Sequence, residues 1–281
     1  MVALERAGIE VERYVAYEIE PNAIQVSKDN YPMIEHCGDV TKANFAEYEG
    51  FDLVIAGSPC QGFSVAGKQL NFEDPRSKLF FEFVRALKEV RPKYFLLENV
   101  AMKKEWEDII TDMLGVQPIT IESSLVSAQR RKRLYWTNIP NADQPEDQHI
   151  TFQSILDSGI AEKEKAYCLT LRRGNARDYF KKHQSNIVFE PSEDGEYTIQ
   201  NGKIVIVFKK SPNKSPFTFD VTIPDGRYNI RPISRNESER LQTLPDNYTK
   251  AISEAKACDA LGNGWTVDVI AHIFKGLKEE V

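Results

Sequence analysis

The sequence has no apolar run approaching the roughly 20 residues that a bilayer-spanning helix needs, and its N-terminus lacks the charged-then-apolar layout of a secretory signal. A membrane partner is not expected, and the expected location is the cytoplasm. Cysteine is scarce. Cys37, Cys60, Cys168 and Cys258 are far apart and form no Cys-x-x-Cys pair or Cys/His cluster, so neither a disulfide framework nor a zinc or other metal site is indicated. An excess of positive charge is lacking too. The net charge of −6 argues against a uniformly basic nucleic-acid binder. Internal repeats and low-complexity tracts are absent, which leaves an ordinary globular chain of 281 residues, long enough for one sizeable core and a smaller appended lobe.

The charge that is present is unevenly spread. Residues 163–240 hold 15 Lys and Arg against 10 Asp and Glu, a local +5 that leaves −11 for the rest of the chain. This suits a basic lobe on an acidic body, although charge also fluctuates along any chain. Up to about Pro140, short apolar runs alternate with helical patterns. Residues 13–19, 51–56 and 93–97 read as buried strands, and Pro21–Asn30 and Lys78–Val90 as the helices between them. Such alternation predicts a parallel sheet covered by helices on both faces. Residues 141–229 are more polar, with turn signals at Asp194-Gly195 and Asn201-Gly202 beside a β-branched run at 204–208, which predicts a small β-rich lobe. From Arg231 the pattern is helical again and ends in an amphipathic helix over 267–277. The expected division is 1–140, 141–230 and 231–281, the last segment returning to the first.

Chemistry concentrates in Gly57-Ser58-Pro59-Cys60-Gln61-Gly62-Phe63-Ser64, directly after an expected strand. Open parallel sheets gather catalytic groups at the C-terminal ends of their strands, so a thiol on a turn shaped by Gly and Pro is presented to a crevice. A lone cysteine also serves as core packing; Gly57, Pro59, Gly62 and Gly67 favour a shaped loop. Glu98-Asn99-Val100 ends the strand 93–97. Apolar surroundings there would let Glu98 act as an acid near neutral pH, while a Glu-Asn pair can equally cap a helix. In Gln129-Arg130-Arg131-Lys132-Arg133, arginines at every second position of an extended segment share one face, as an anion-binding wall or as a solvated basic turn.

In order and spacing these three elements resemble the nucleophile, Glu-Asn-Val and Gln-x-Arg-x-Arg motifs of the DNA cytosine-5 methyltransferases. The resemblance spans nearly the whole chain and is nearest to phage and bacterial members related to the catalytic domain of animal de novo methyltransferases. It implies an α/β, Rossmann-like fold dependent on S-adenosyl-L-methionine with a smaller β-rich target-recognition lobe, acting on double-stranded DNA. Further likenesses are Glu18 in Tyr17-Glu18-Ile19, for the cofactor ribose, and Asp39 in Gly38-Asp39-Val40, for the adenine amino group. Ile19, Val40, Pro59, Asn263 and Val267 are implied as further cofactor contacts, with Gln61, Ser64, Gln129, Arg172, Arg173 and Arg231 on the DNA side. Residues 231–245 look like the ninth family motif and 262–267 like the tenth.

The implied mechanism uses Cys60 as nucleophile on carbon 6 of a flipped cytosine, Glu98 on ring nitrogen 3, and Arg131 and Arg133 to orient the base. One family element is not found: the strand and glycine turn for the cofactor's methionine part. It is expected ahead of Met1, which then reads as an internal methionine, and its loss would leave unpaired backbone beside 13–19. A transfer-RNA methyltransferase and a regulatory DNA-binding relative are the alternative readings. The recognition sequence and oligomeric state are not legible.

Overall fold

The computed structural model describes residues 1–57, 78–170, 179–180, 185–206 and 217–278. The chain divides into two compact units. The first comprises Met1–Val126, Arg131–Asp147 and Val267–Val281, and the second Ser127–Arg130 and Gln148–Thr266. Residues 231–266 therefore pack in the second unit, and the return begins only at Val267. The reason lies in helix α5 below, whose Leu241 and Glu237 are buried against second-unit partners.

In the first unit, α1 (Val2–Ala7) ends at Gly8 in a left-handed conformation, φ 67°, and packs against the C-terminal helix. Strand β1 (Val15–Ala16) pairs in parallel with β2 (Glu35–His36) as a separate two-stranded sheet. The strand expected over 13–19 is thus much shorter. Beyond Ala16 the Glu18 carboxylate takes the amides of Ile19 and Glu20, both at 2.7 Å, and turns the chain into α2 (Pro21–Asn30). That helix starts with Pro at its first position and Glu20 as its cap, so its bounds match expectation.

The four-stranded sheet has the order β3-β4-β6-β5. Strand β3 (Leu53–Gly57) runs parallel to β4 (Tyr94–Val100), whereas β6 (Lys132–Thr137) is antiparallel to both β4 and β5 (Ile119–Glu122). The all-parallel expectation fails here because the connection 123–131 is too short for the dozen or more residues a crossover needs. Side chains alternate across the sheet. Val54, Ala56, Phe95, Leu97, Leu134 and Trp136 form a core with α3 (Lys78–Val90) and α4 (Lys104–Leu114). The residues between them, including Glu98, Arg133 and Tyr135, occupy the opposite face.

The second unit is built on an antiparallel sheet of order β10-β9-β8-β11-β7, formed by β7 (Ile187–Pro191), β8 (Tyr197–Gln200), β9 (Lys203–Ile206), β10 (Phe217–Asp220) and β11 (Gly226–Pro232). Asn201 and Gly202, both at positive φ (54° and 66°), make the tight β8–β9 turn that their sequence announced. Asp194-Gly195 does not close a hairpin, since β11 lies between β7 and β8. Gly195 is needed there for close approach: a Cβ would fall 2.4 Å from the Tyr228 backbone nitrogen. Helices α5 (Arg235–Leu241) and α6 (Glu254–Asn263) complete this unit, and Ser234 and Glu237 form a capping box at the start of α5. The C-terminal helix α7 (Val267–Phe274) continues as a 3-10 turn, Lys275–Lys278.

Candidate active site

The register of the four-stranded sheet assembles the site. Gly57 pairs with Glu98 in parallel, so the last residue of β3 lies beside Glu98, and Ser58-Pro59-Cys60 follow in sequence. Cys60, Pro59, Gln61 and Ser64 themselves lie outside the described residues, as do Arg172 and Arg173. On the other flank Glu98 pairs with Tyr135, and Val100 with Arg133, in antiparallel register. Arg133 is the diagonal neighbour of Glu98, within reach of a long side chain, and its Nε lies 2.9 Å from Glu98 Oε1.

Both groups are largely withdrawn from solvent, with 15% and 11% of their side chains exposed. Arg133 also donates through a terminal nitrogen to the Lys132 carbonyl at 2.8 Å. Arg133, expected to orient base and phosphate, has its guanidinium on Glu98 in this structure. Arg131 is buried; its amide donates to the Glu122 carboxylate and its carbonyl accepts from the Ser123 amide at 3.1 Å. Sequence reasoning missed Tyr135, whose signal was its place two residues after Arg133 in the same alternation. Burial pushes the Tyr135 phenol far up, reinforced by the Glu98 charge and opposed by Arg131 and Arg133.

At the ends of β1 and β2 stand the carboxylates expected at the cofactor. Glu18 uses one oxygen for the two amides described above. Asp39 accepts from the Thr41 amide at 3.0 Å and the Thr41 hydroxyl at 2.8 Å with one oxygen. The Thr41 backbone bond, followed by its hydroxyl, holds the Asp39 carboxyl below the usual range. Ile19, beside Glu18, is 72% exposed. Two carboxylates, each using one oxygen for the hydrogen bonds above, and an exposed apolar side chain after parallel strand ends fit an adenosine group. Val40 begins the 3-10 turn that Asp39 caps. Asn263 closes α6 in the second unit, and Val267 opens α7 in the first.

Two expected DNA contacts are placed otherwise. Gln129 is fully buried in the second unit: its amide donates to the Leu241 carbonyl at 2.5 Å and to Gln242 at 2.8 Å, and its oxygen accepts from the Leu169 amide at 3.3 Å. With both ends of the amide engaged, it supports the interior instead of reading a base. Arg231 likewise spends its guanidinium on Glu190 (2.6 Å) and on the buried Glu237 (2.7 Å), which pushes its pKa well above the ordinary arginine value. Among the described residues no group of His, Cys, Asp and Glu is arranged to hold a metal ion, and no helix is long and apolar enough to cross a membrane.

The mixed sheet with its buried Glu98–Arg133 pair, together with Glu18 and Asp39 after the strands of a separate parallel pair, suits a methyltransferase of the Rossmann-like class. The sequence matches the C-5 cytosine-specific DNA methylase family over residues 1–279, and the chain belongs to that family. It is 29% identical to the type II methyltransferase M1.ScrFI of Lactococcus lactis subsp. cremoris, over 96% of this chain and 72% of that protein. To the type II methyltransferase M.NgoBV of Neisseria gonorrhoeae it is 46% identical, over 59% of this chain and 44% of that protein. Among solved structures, a DNMT2 variant of Spodoptera frugiperda superposes with a TM-score of 0.68 at 19% identity, over 99% of this chain and 96% of that one, which establishes the shared fold.

Proposed function

We propose that this chain methylates carbon 5 of a flipped cytosine within a specific sequence of double-stranded DNA, through a covalent adduct on Cys60, in the cytoplasm of a bacterial or phage-infected cell. The observation that carries the reading is the Glu98–Arg133 pair, 2.9 Å apart, with Glu98 paired to Gly57, the residue that precedes Ser58-Pro59-Cys60 in sequence. S-adenosyl-L-methionine, when bound, supplies an electrophilic methyl group; Glu18 is suited to its ribose, Asp39 to its adenine amino group, and Ile19 and Val40 to its apolar flanks.

Carbon 5 of cytosine is a weak nucleophile, so the Cys60 thiolate adds to carbon 6 and makes carbon 5 electron-rich. Negative charge moves toward ring nitrogen 3 as that bond forms, and Glu98 meets it with a hydrogen bond or proton. Arg133 keeps Glu98 in place, and a fixed partner costs no reorganisation at the moment of reaction. Once carbon 5 has taken the methyl group that the cofactor would supply, loss of its proton to water expels Cys60 and restores the ring. The stacked base is beyond reach of all these groups, so it must be flipped out at a cost of a few kcal/mol. Phosphate contacts from the basic residues of the second unit supply the compensating affinity.

Cys60→Ala is expected to abolish tritium transfer from labelled cofactor to DNA while a gel-shift assay shows binding retained. DNA carrying 5-fluorocytosine should trap a denaturant-stable adduct, because fluorine cannot leave as the proton does. Turnover of Cys60→Ala within about tenfold of the parent, well short of the loss expected for a deleted nucleophile, refutes the assignment.

A further inference from the structure

Between β5 and β6 the chain leaves the first unit, passes through Ser127–Arg130 in the second, and re-enters at Arg131. Two hydrogen bonds mark the point of re-entry. The Glu122 carboxylate accepts the Arg131 amide, and the Arg131 carbonyl accepts from Ser123 at 3.1 Å. From there the register runs Glu122 with Lys132, Ile121 with Arg133, Thr120 with Leu134 and Ile119 with Tyr135. Strand β5 is four residues long and forms the edge of its sheet, so few ladder bonds are available to hold this alignment.

Alignment matters here because side chains alternate. A slip of one residue would carry Arg133 to the face that packs on α3 and α4, away from Glu98, and bring Leu134 or Lys132 in its place. We propose, resting on the catalytic reading of Glu98 above, that Glu122 is a positioning residue: its bond to the Arg131 amide holds the entry of β6 in the place from which its pairing with β4 delivers Arg133 to Glu98. It touches neither the base nor the cofactor and acts through Arg133 alone.

The test measures single-turnover methyl transfer and cofactor KM for the full chain. Glu122→Ala should lower the rate by roughly 10- to 100-fold, the scale of a 1 Å misplacement, with KM for S-adenosyl-L-methionine unchanged. Glu122→Gln, which keeps an acceptor oxygen, should restore the rate to within about threefold, since the hydrogen bond survives without the charge. The deciding measurement is a double-mutant cycle: in an Arg133→Ala background, Glu122→Ala should produce no further loss. Losses that multiply, or a lowered melting temperature with the rate intact, would overturn the proposal. If Glu122→Ala does not fold, Glu122→Asp, whose carboxylate is one methylene shorter, takes its place in the same cycle. Glu98→Ala separates the two ideas: full activity there defeats the catalytic reading, whereas an inactive Glu98→Ala with a multiplicative cycle defeats the positioning role only.

Discussion

Removing the Arg133 guanidinium should destabilise the first unit more than removing both charges. In the intact protein Arg133 Nε and Glu98 Oε1 are 2.9 Å apart, with 15% and 11% of the side chains exposed. Stripping one partner from a buried pair costs about 3–5 kcal/mol, because the remaining charge is left without compensation. The residual exposure of this pair places Arg133→Ala near the lower end, at about 3 kcal/mol. For a unit of this size each kcal/mol moves the midpoint by about 2–4 °C, so a fall of roughly 6–12 °C is expected by calorimetry. Replacing Glu98 with Gln in the same chain removes the charge that Arg133 had offset and should recover part of that loss. The two variants are compared by urea unfolding at neutral pH, where both are expected to be catalytically impaired and stability is the cleaner readout. A loss below about 1 kcal/mol, the value of a surface pair, or a double variant less stable than Arg133→Ala, refutes the account of the pair as a buried, mutually dependent unit.

Trp136 is fully buried in the α3–α4 core and donates to Thr111 at 3.0 Å; Trp136→Ala should cost about 3–5 kcal/mol in urea unfolding with an unchanged slope, and a cost under about 1 kcal/mol would contradict this packing. Gly195→Ala should destabilise the second unit by about 1–3 kcal/mol through overpacking against the Tyr228 backbone, and a neutral result would mean that β11 does not pass so close. The hydrogen bond from Arg240 holds the Asp157 carboxyl below its usual range. A lowered folded value gives stability that is present above the unfolded pKa of about 3.9 and lost as pH falls through the folded one. Arg240→Gln should therefore be less stable than the parent at pH about 6, with the gap closing by pH about 2.5; an equal gap at both would exclude this linkage.

Sequence and structure agree where the deciding force is local. Pro21 and the acidic cap fix the start of α2, the apolar stripe of residues 78–90 fixes α3, and Asn201-Gly202 selects its turn through left-handed backbone. They part where a side chain competes with the backbone or where coverage by another element decides. Residues 13–19 carry strand propensity throughout, yet Glu18 captures the two amides that would have continued the ladder. Gln129 reads as a surface polar residue in a basic stretch, but the carbonyl of Leu241 and the amide of Gln242 make an interior position favourable for it. Arg231 was legible as a charge and not as an ion pair, because Glu190 is 41 residues away in sequence. Asp194-Gly195 does form a turn, closed by the Gly195 amide on the Ser192 carbonyl at 3.0 Å, while the need for a glycine there comes from a crowding by Tyr228 that only the sheet order creates.

The mixed sheet also explains why residues so distant in sequence can serve one reaction. Glu98 sits on β4 with a parallel neighbour on one side and an antiparallel neighbour on the other. The parallel side brings Gly57, the end of β3, level with Glu98. The antiparallel side brings Arg133 from the opposite direction, at the beginning of its strand. The end of β3 and the Arg133 cation thus reach Glu98 from different flanks, through separate strand pairings. A register error in β6 would cost the Arg133 contact while leaving Gly57 beside Glu98, and an error in β3 would do the reverse. Their dependence on separate strand pairings is why the alignment of β6, the strand entered from the other unit, needs a fastening of its own.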